Sequence, residues 1–447
     1  MSDAGVHAFC EGVDGAALMR HMREFARWTK LSGTPEEMHS LRYAQGQLDG
    51  FGFRTAVLLH DAYISLPGRS RVEIDEQEKR SITHSFSRPS PGGGLTELVV
   101  DVGGGSEADF AGKDVRGRIV LAEGIASPAV ARLASRAGAA GQLHISPHQH
   151  IHEMCVSPVW GSPSPGTVPA LPATVVNTIA QADGLALRER LARGEHPRVT
   201  LHAEVDTGWR KTPILVADLG PSKTVADVPF VLFSGHHDTW YFGVMDNGGA
   251  NATMLEVARL CGSRREQMKR GLRLCFWSGH SHGRYSGSAW YADEFWEVLD
   301  RRCVAHVNVD STGGIGATVL SNAAAMTEQA PLAAEAMRAQ AGTEYVGRPM
   351  DRSSDQSLCV YPACSCRCTP GRATDSTTIR RCRRHPHHRC RPCASWRRHR
   401  PARRQRSFTQ SRLVARVTGW PSHCVRHASS SMQSCREQGG SLMPARR

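Results

Sequence analysis

The sequence predicts an α/β fold: a mainly parallel (mixed) sheet with helices on both faces, plus an inserted β-rich domain. Three observations carry this expectation. Between residues 211 and 325, apolar strand runs alternate with helical runs, the order of a sheet covered on both sides. Between residues 80 and 210, short apolar runs are instead separated by Gly, Pro and Ser turns. Hydrophobic residues make up 40% and charged residues 22% of the 447, a globular composition that excludes wholesale disorder.

Taken in order, residues 1–79 read as a helical N-terminal part of the core. Leu18, Met22, Phe25 and Trp28 recur at helical spacing. After Ser32-Gly33, Thr34 fits an N-cap, Pro35 the first helical position and Glu37 the third, so a second helix runs to about Gln47. The helical character is expected to extend to about residue 60. In residues 80–210 the runs LTELVVDV, GRIVLAEG, ATVVN and RVTLHAEV predict strands, with one helix over Pro128 to Ala137. His148, His150 and His152 alternate there; with no carboxylate or thiol cluster beside them they read as polar surface. Residues 211–357 carry three buried strands (VPFVLFSG, GLRLCFWSG, CVAHVNVDS) and helices over Asn247 to Leu260 and Ser286 to Leu299.

Residues 358–447 change character. From 361 onward there are 20 arginines, no lysine and two acidic residues, Asp375 and Glu437, so the formal charge of +13 is concentrated here. The body before it is slightly acidic. Arg, Cys, His, Pro and Ser together are what a GC-rich gene yields when read out of frame, and disorder is expected. Two functional readings stand beside that one. Cys364, Cys366, Cys368, Cys382, His385, His387, His388, Cys390 and Cys393 contain zinc-ligand types, without regular paired spacing. An arginine arm also binds phosphates, but interleaved aromatics and a folded platform are missing, so no specific nucleic-acid partner is expected. No apolar run reaches the roughly 18 residues that span a bilayer. The N-terminal MSDAGVHAFCEGVDG has neither a basic nor an apolar leader region. The expectation is a cytoplasmic chain with no membrane partner.

In open α/β sheets, ligands bind beyond the carboxyl ends of the strands. Polar groups collect at those ends. Gly235-His236-His237-Asp238 follows the first strand of the core, Gly279-His280-Ser281-His282-Gly283 the second, and Asp310 the third. Asp246 precedes the helix that starts near Asn247. One imidazole (His236) and two carboxylates (Asp246, Asp310) form a nitrogen and oxygen donor set suited to zinc, manganese or cobalt. Asp238, two residues on, is expected to orient the imidazole.

His236-His237-Asp238, Met245-Asp246-Asn247, FWSGHSHGRYSGSAWYAD and NVDSTG resemble the co-catalytic zinc aminopeptidase and glutamate carboxypeptidase family of metallopeptidases. The resemblance covers roughly residues 15–357 and implies a zinc-exopeptidase-like fold, with residues 80–210 as an inserted protease-associated domain. It implies His236, Asp246 and Asp310 as ligands of a first metal, with Asp246 bridging to a second, and Asp238 as the residue orienting His236. The family places two adjacent glutamates, a general base and a ligand, where this chain has His280 and Ser281. The family's last histidine ligand would fall within the arginine-rich segment. His280 is then the candidate catalytic base, and His282 or His280 the substitute ligand. The activity implied is metal-dependent hydrolysis of peptide or small amide substrates, aminopeptidase- or carboxypeptidase-like. The alternatives are an inactive binding protein of the same fold and a frame-disrupted product.

Overall fold

The computed structural model describes residues 9–148, 150–221, 228–312, 324–327, 329–342, 344–346 and 355. The expectations attached to residues 358–447 lie outside the described residues. Helix α1 (Gly15–Phe25) starts where the Asp14 carboxylate accepts from the backbone N–H of Ala16 and Ala17, at 2.8 and 3.1 Å. It buries Leu18, Met22 and Phe25, the spacing read from the sequence. Helix α2 (Pro35–Gly50) starts at Thr34, whose hydroxyl accepts from Glu37 N at 3.4 Å. The Glu37 carboxylate reaches back one residue further than a standard capping box, to Gly33 N at 2.7 Å.

The helical character does not extend to residue 60. Arg54–Ile74 is a 21-residue strand, β1. Its partner is the equally long β9 (Val199–Leu219), antiparallel from Arg54 opposite Asp218 to Ile74 opposite Val199. In β1 the run AVLLHDAYISL is apolar enough for a helix, but pairing along its whole length with β9 decides the outcome. This ribbon is a stem from which the intervening residues leave and to which they return. They form β2 (Gln77–Lys79), β3 (Ser81–Thr83), β4 (Leu95–Glu97), β5 (Val99–Asp101), β6 (Ile119–Glu123), β7 (Gly141–Ile145) and β8 (Val175–Ile179). Strands β3, β8, β7, β6 and β5 make a five-stranded sheet in that order, parallel except for β3. Ile119, Leu121, Leu143 and Ile145 pack with Val72, Val199 and Leu201 of the ribbon on one face. Val120 and Ala122 pack beneath helix α3 (Pro128–Arg136) on the other, through Val130 and Ala134.

In the larger sheet β10 (Phe230–His236) lies between and parallel to β11 (Gly271–Trp277) and β12 (Cys303–Asn308). Its order is β12-β10-β11-β9-β1-β2, with β4 also paired to β9. The sheet is mixed, as expected. Among the described residues its parallel part comprises the three strands that lead to the site, and the ribbon adds antiparallel pairs. Alternation along β10 feeds two cores. Val231 and Phe233 meet α1, α2 and helix α4 (Ala250–Gly262). Phe230 and Leu232 meet Trp277 of β11 together with Tyr291 and Leu299, from helices α5 (Ser286–Glu294) and α6 (Trp296–Arg302). Among the described residues, no helix is long and apolar enough to cross a membrane.

Candidate metal centre

His236 is the last residue of β10, and its side chain is buried. Gly235 before it lets β12's exit pass close by: a Cβ there would lie 2.7 Å from Val309 O. Asn247 fastens the same point. Its amide donates to His236 O at 3.1 Å, and its carbonyl oxygen accepts from Ser311 N at 3.0 Å. One side chain thus ties the end of β10 to the loop carrying Asp310, beside its neighbour Asp246. Asn251 adds a donor to His236 O at 2.6 Å.

His236 Nδ1 lies 2.8 Å from the backbone oxygen of Asp238 and donates to it. The expected orienting contact therefore comes from the main chain of Asp238; its carboxylate is 3.9 Å from Nδ1. With Nδ1 protonated, Nε2 presents its lone pair. That atom is buried and makes no hydrogen bond, yet Asp246 and Asp310 carboxylate oxygens face it at 3.1 and 3.5 Å. Burial opposes charge on this imidazole, but Asp310 and Asp246 outweigh it and hold its pKa well above the ordinary value. Burial likewise opposes charge on Asp310, and the His236 ring outweighs it, drawing the carboxyl down to about 2. A lone pair facing two carboxylates requires a positive charge between them, from a proton or a metal cation. The donors fit a divalent cation of the zinc, manganese or cobalt kind.

Among the described residues, His236, His280 and Asp310 bring one ligand atom each within 4.8 Å of the others, a group that includes His280 and not Asp246. His280 stacks on His236 with ring centroids 3.8 Å apart and planes 13° apart. Its Nδ1 lies 2.6 Å from the buried carboxylate of Asp355.

His282 goes elsewhere. It is fully buried, with Nδ1 3.1 Å from Ser32 Oγ and Nε2 3.5 Å from Glu153. The turn that follows β11 at Trp277 sends the two imidazoles of HSH in different directions, which corrects the expectation of His282 as a substitute ligand. Asp238 anchors this loop. Its carboxylate accepts from His280 N, Ser281 N and Ser32 Oγ at 3.2, 2.8 and 2.8 Å. Burial pushes its pKa up, but His282, His236 and His280 outweigh burial and hold it far below the usual carboxylate range. His237 faces the opposite core, between Asn251 and Ser40. Burial, with Lys30 nearby, pushes it down to about 3. Sequence reasoning missed Ser32, Lys30, Glu153 and Asp355. Lys30 donates to Phe25 O, Trp28 O and Phe242 O, joining α1 to the loop between His236 and Asp246. His148, His150 and His152 lie outside the metal-type cluster; His148 and His152 share a contact of 3.0 Å.

The molecule is thus an α/β protein with a metal-type donor cluster at the carboxyl ends of parallel strands. Residues 215–357 match the model of peptidase family M28, which supports the resemblance to the co-catalytic zinc metallopeptidases read from the sequence. It is 22% identical over 367 residues to a probable glutamate carboxypeptidase of Zea mays, covering 67% of this chain and 51% of that one. A probable glutamate carboxypeptidase of Arabidopsis thaliana is 22% identical over 383 residues, covering 68% and 52%. The chain spans about half the length of these curated relatives. The aminopeptidase from Aneurinibacillus sp. strain AM-1 superposes with a TM-score of 0.60 at 20% identity, covering 80% of this chain and 85% of that one. A zinc aminopeptidase from Bacillus subtilis gives 0.58 at 18% identity, covering 77% and 83%. These structural likenesses establish the fold.

Proposed function

We propose that the protein is a metal-dependent hydrolase of peptide or small amide bonds, aminopeptidase- or carboxypeptidase-like. The observation that carries this reading is the buried Nε2 of His236, without a hydrogen bond and facing two carboxylates. His236, Asp246 and Asp310 would hold the cation, and the structural neighbour from Bacillus subtilis is a zinc aminopeptidase. When bound, a divalent cation supplies Lewis acidity to a carbonyl and acidifies water. The chain's own residues supply the rest. The backbone oxygen of Asp238 keeps Nδ1 of His236 protonated, so Nε2 stays a donor atom. His280 stands beside it with Asp355 on Nδ1, which leaves Nε2 to accept a proton from water and return it to the leaving amine. Proton transfer by a positioned group contributes about 10²–10⁴-fold. We assign residues 80–210 as a protease-associated-like insert that borders the site through Glu153.

The expected partner is a peptide or small amide. Purified full-length protein should hydrolyse amide substrates, lose that activity to a chelator and recover it with zinc. Hydrolysis unaffected by chelation would contradict the mechanism. One observation favours a second reading, a metal-binding protein without hydrolytic activity: neither His280 nor Ser281 brings a carboxylate where the family has two. Metal binding without turnover of a broad amide library would select it.

A further inference from the structure

We propose that Asp355 is a positioning residue: it fixes the tautomer and orientation of His280, so that Nε2 faces His236 and Asp310 with its lone pair free. The inference deepens the hydrolase reading and rests on it for its catalytic consequence.

Four contacts carry it. The Asp355 side chain is almost fully buried, 1% exposed, and Oδ2 lies 2.6 Å from Nδ1 of His280. A buried carboxylate beside a ring nitrogen requires a proton between them, so Nδ1 is the protonated nitrogen. The other oxygen, Oδ1, accepts from the hydroxyl of Ser288 in the first turn of α5, which holds the carboxylate in place. The His280 ring has no freedom to turn away. One face lies on His236 at 3.8 Å, and Tyr285 packs edge-on at 4.7 Å and 81°. One nitrogen of His280 belongs to the cluster with His236 and Asp310. With Nδ1 engaged by Asp355, Nε2 is the nitrogen left for that centre.

The arrangement is that of a proton-accepting imidazole oriented by a carboxylate, where the wrong tautomer costs about 10⁴-fold in rate in the best-studied case. Here a histidine with its carboxylate takes the place of a directly acting glutamate. The pair is assembled across 75 residues of sequence, with Ser288 from a third position.

The test uses the full-length chain with ¹⁵N-labelled histidine, prepared metal-free, with His280→Gln to identify the His280 resonances. The wild type should show His280 protonated at Nδ1. Asp355→Asn should shift it to Nε2 or to a mixture, and Asp355→Glu should restore the wild-type pattern at least in part. On an amide substrate, Asp355→Asn should lower kcat by about 10²–10⁴-fold, while KM and bound metal change less than about threefold. His280 protonated at Nε2 in the wild type would overturn the proposal, and so would an unchanged tautomer in Asp355→Asn. If no variant hydrolyses any amide, the hydrolase reading fails, yet the tautomer measurement still decides the role of Asp355.

Discussion

At the scale of single residues, His236 concentrates the chemistry because its two nitrogens face different partners. Nδ1 is engaged by a backbone oxygen, and Nε2 meets only carboxylates. Since the orienting acceptor is main chain, Asp238→Asn should leave the His236 tautomer intact and keep the cation affinity within about tenfold. The cost falls instead on the loop the carboxylate anchors. An amide cannot accept from Ser32, His280 and Ser281 as a carboxylate does, so stability should fall by about 1–3 kcal/mol. Denaturant unfolding beside metal titration separates the two effects. His236, Asp246 and Asp310 were legible in the sequence because polar residues interrupt the apolar pattern where strand runs end and where the helix after β10 begins. Asp355, Glu153 and Ser32 were not, because each meets the site only through the tertiary fold: 206 residues separate Ser32 from Asp238.

At the scale of elements, the site depends on close approach between β11's exit and α5. A Cβ on Gly287 would lie 2.3 Å from the backbone oxygen of Ser278. Gly287→Ala should therefore destabilise the protein by about 1–3 kcal/mol and displace the HSH loop, seen as a lower Tm together with weaker metal binding. At the other end of the core, Thr34→Ala removes the cap of α2 and should cost about 1 kcal/mol without changing metal affinity. Strands β10, β11 and β12 were readable because buried parallel strands are continuous apolar runs. The ribbon was not. β1 mixes apolar and charged residues without a clear period, and its strand state is decided by a partner 125 or more residues away at its near end. β7 was hidden as well, because its five buried residues include Gln142, whose amide donates to Thr174 Oγ1, and His144, whose Nε2 meets Gln142 Oε1.

At the scale of the whole molecule, buried neutral histidines tie stability to pH. Burial, with His144 nearby, pushes His84 down to about 3, and burial pushes His144 down to about 4. His84 is locked neutral: its Nδ1 accepts from Met154 N at 3.1 Å, and its Nε2 faces Thr178 Oγ1 at 2.8 Å. In the unfolded chain both titrate near about 6.5. Between that value and the folded values the unfolded state binds more protons, so the contribution is complete above pH 6.5 and is lost as pH falls towards 4. Unfolding midpoints across this window should drop, and the slope should be shallower in the His84→Gln, His144→Gln double variant. An equal slope in both would contradict the assignment. The insert meets the core through Glu153 beside His282, Ser162 Oγ on Tyr63 N and Arg284 O on Gly161 N, so its loosening at low pH reaches the loop that carries His280.

The proposed hydrolysis depends on a divalent cation that His236, Asp246 and Asp310 would hold. The most direct measurement is metal content of the full-length chain after dialysis against zinc, set beside His236→Ala treated identically. Tightly bound zinc in the wild type and near-complete loss in the variant is the predicted result. Equal zinc in both, or none in a folded wild type, would contradict it.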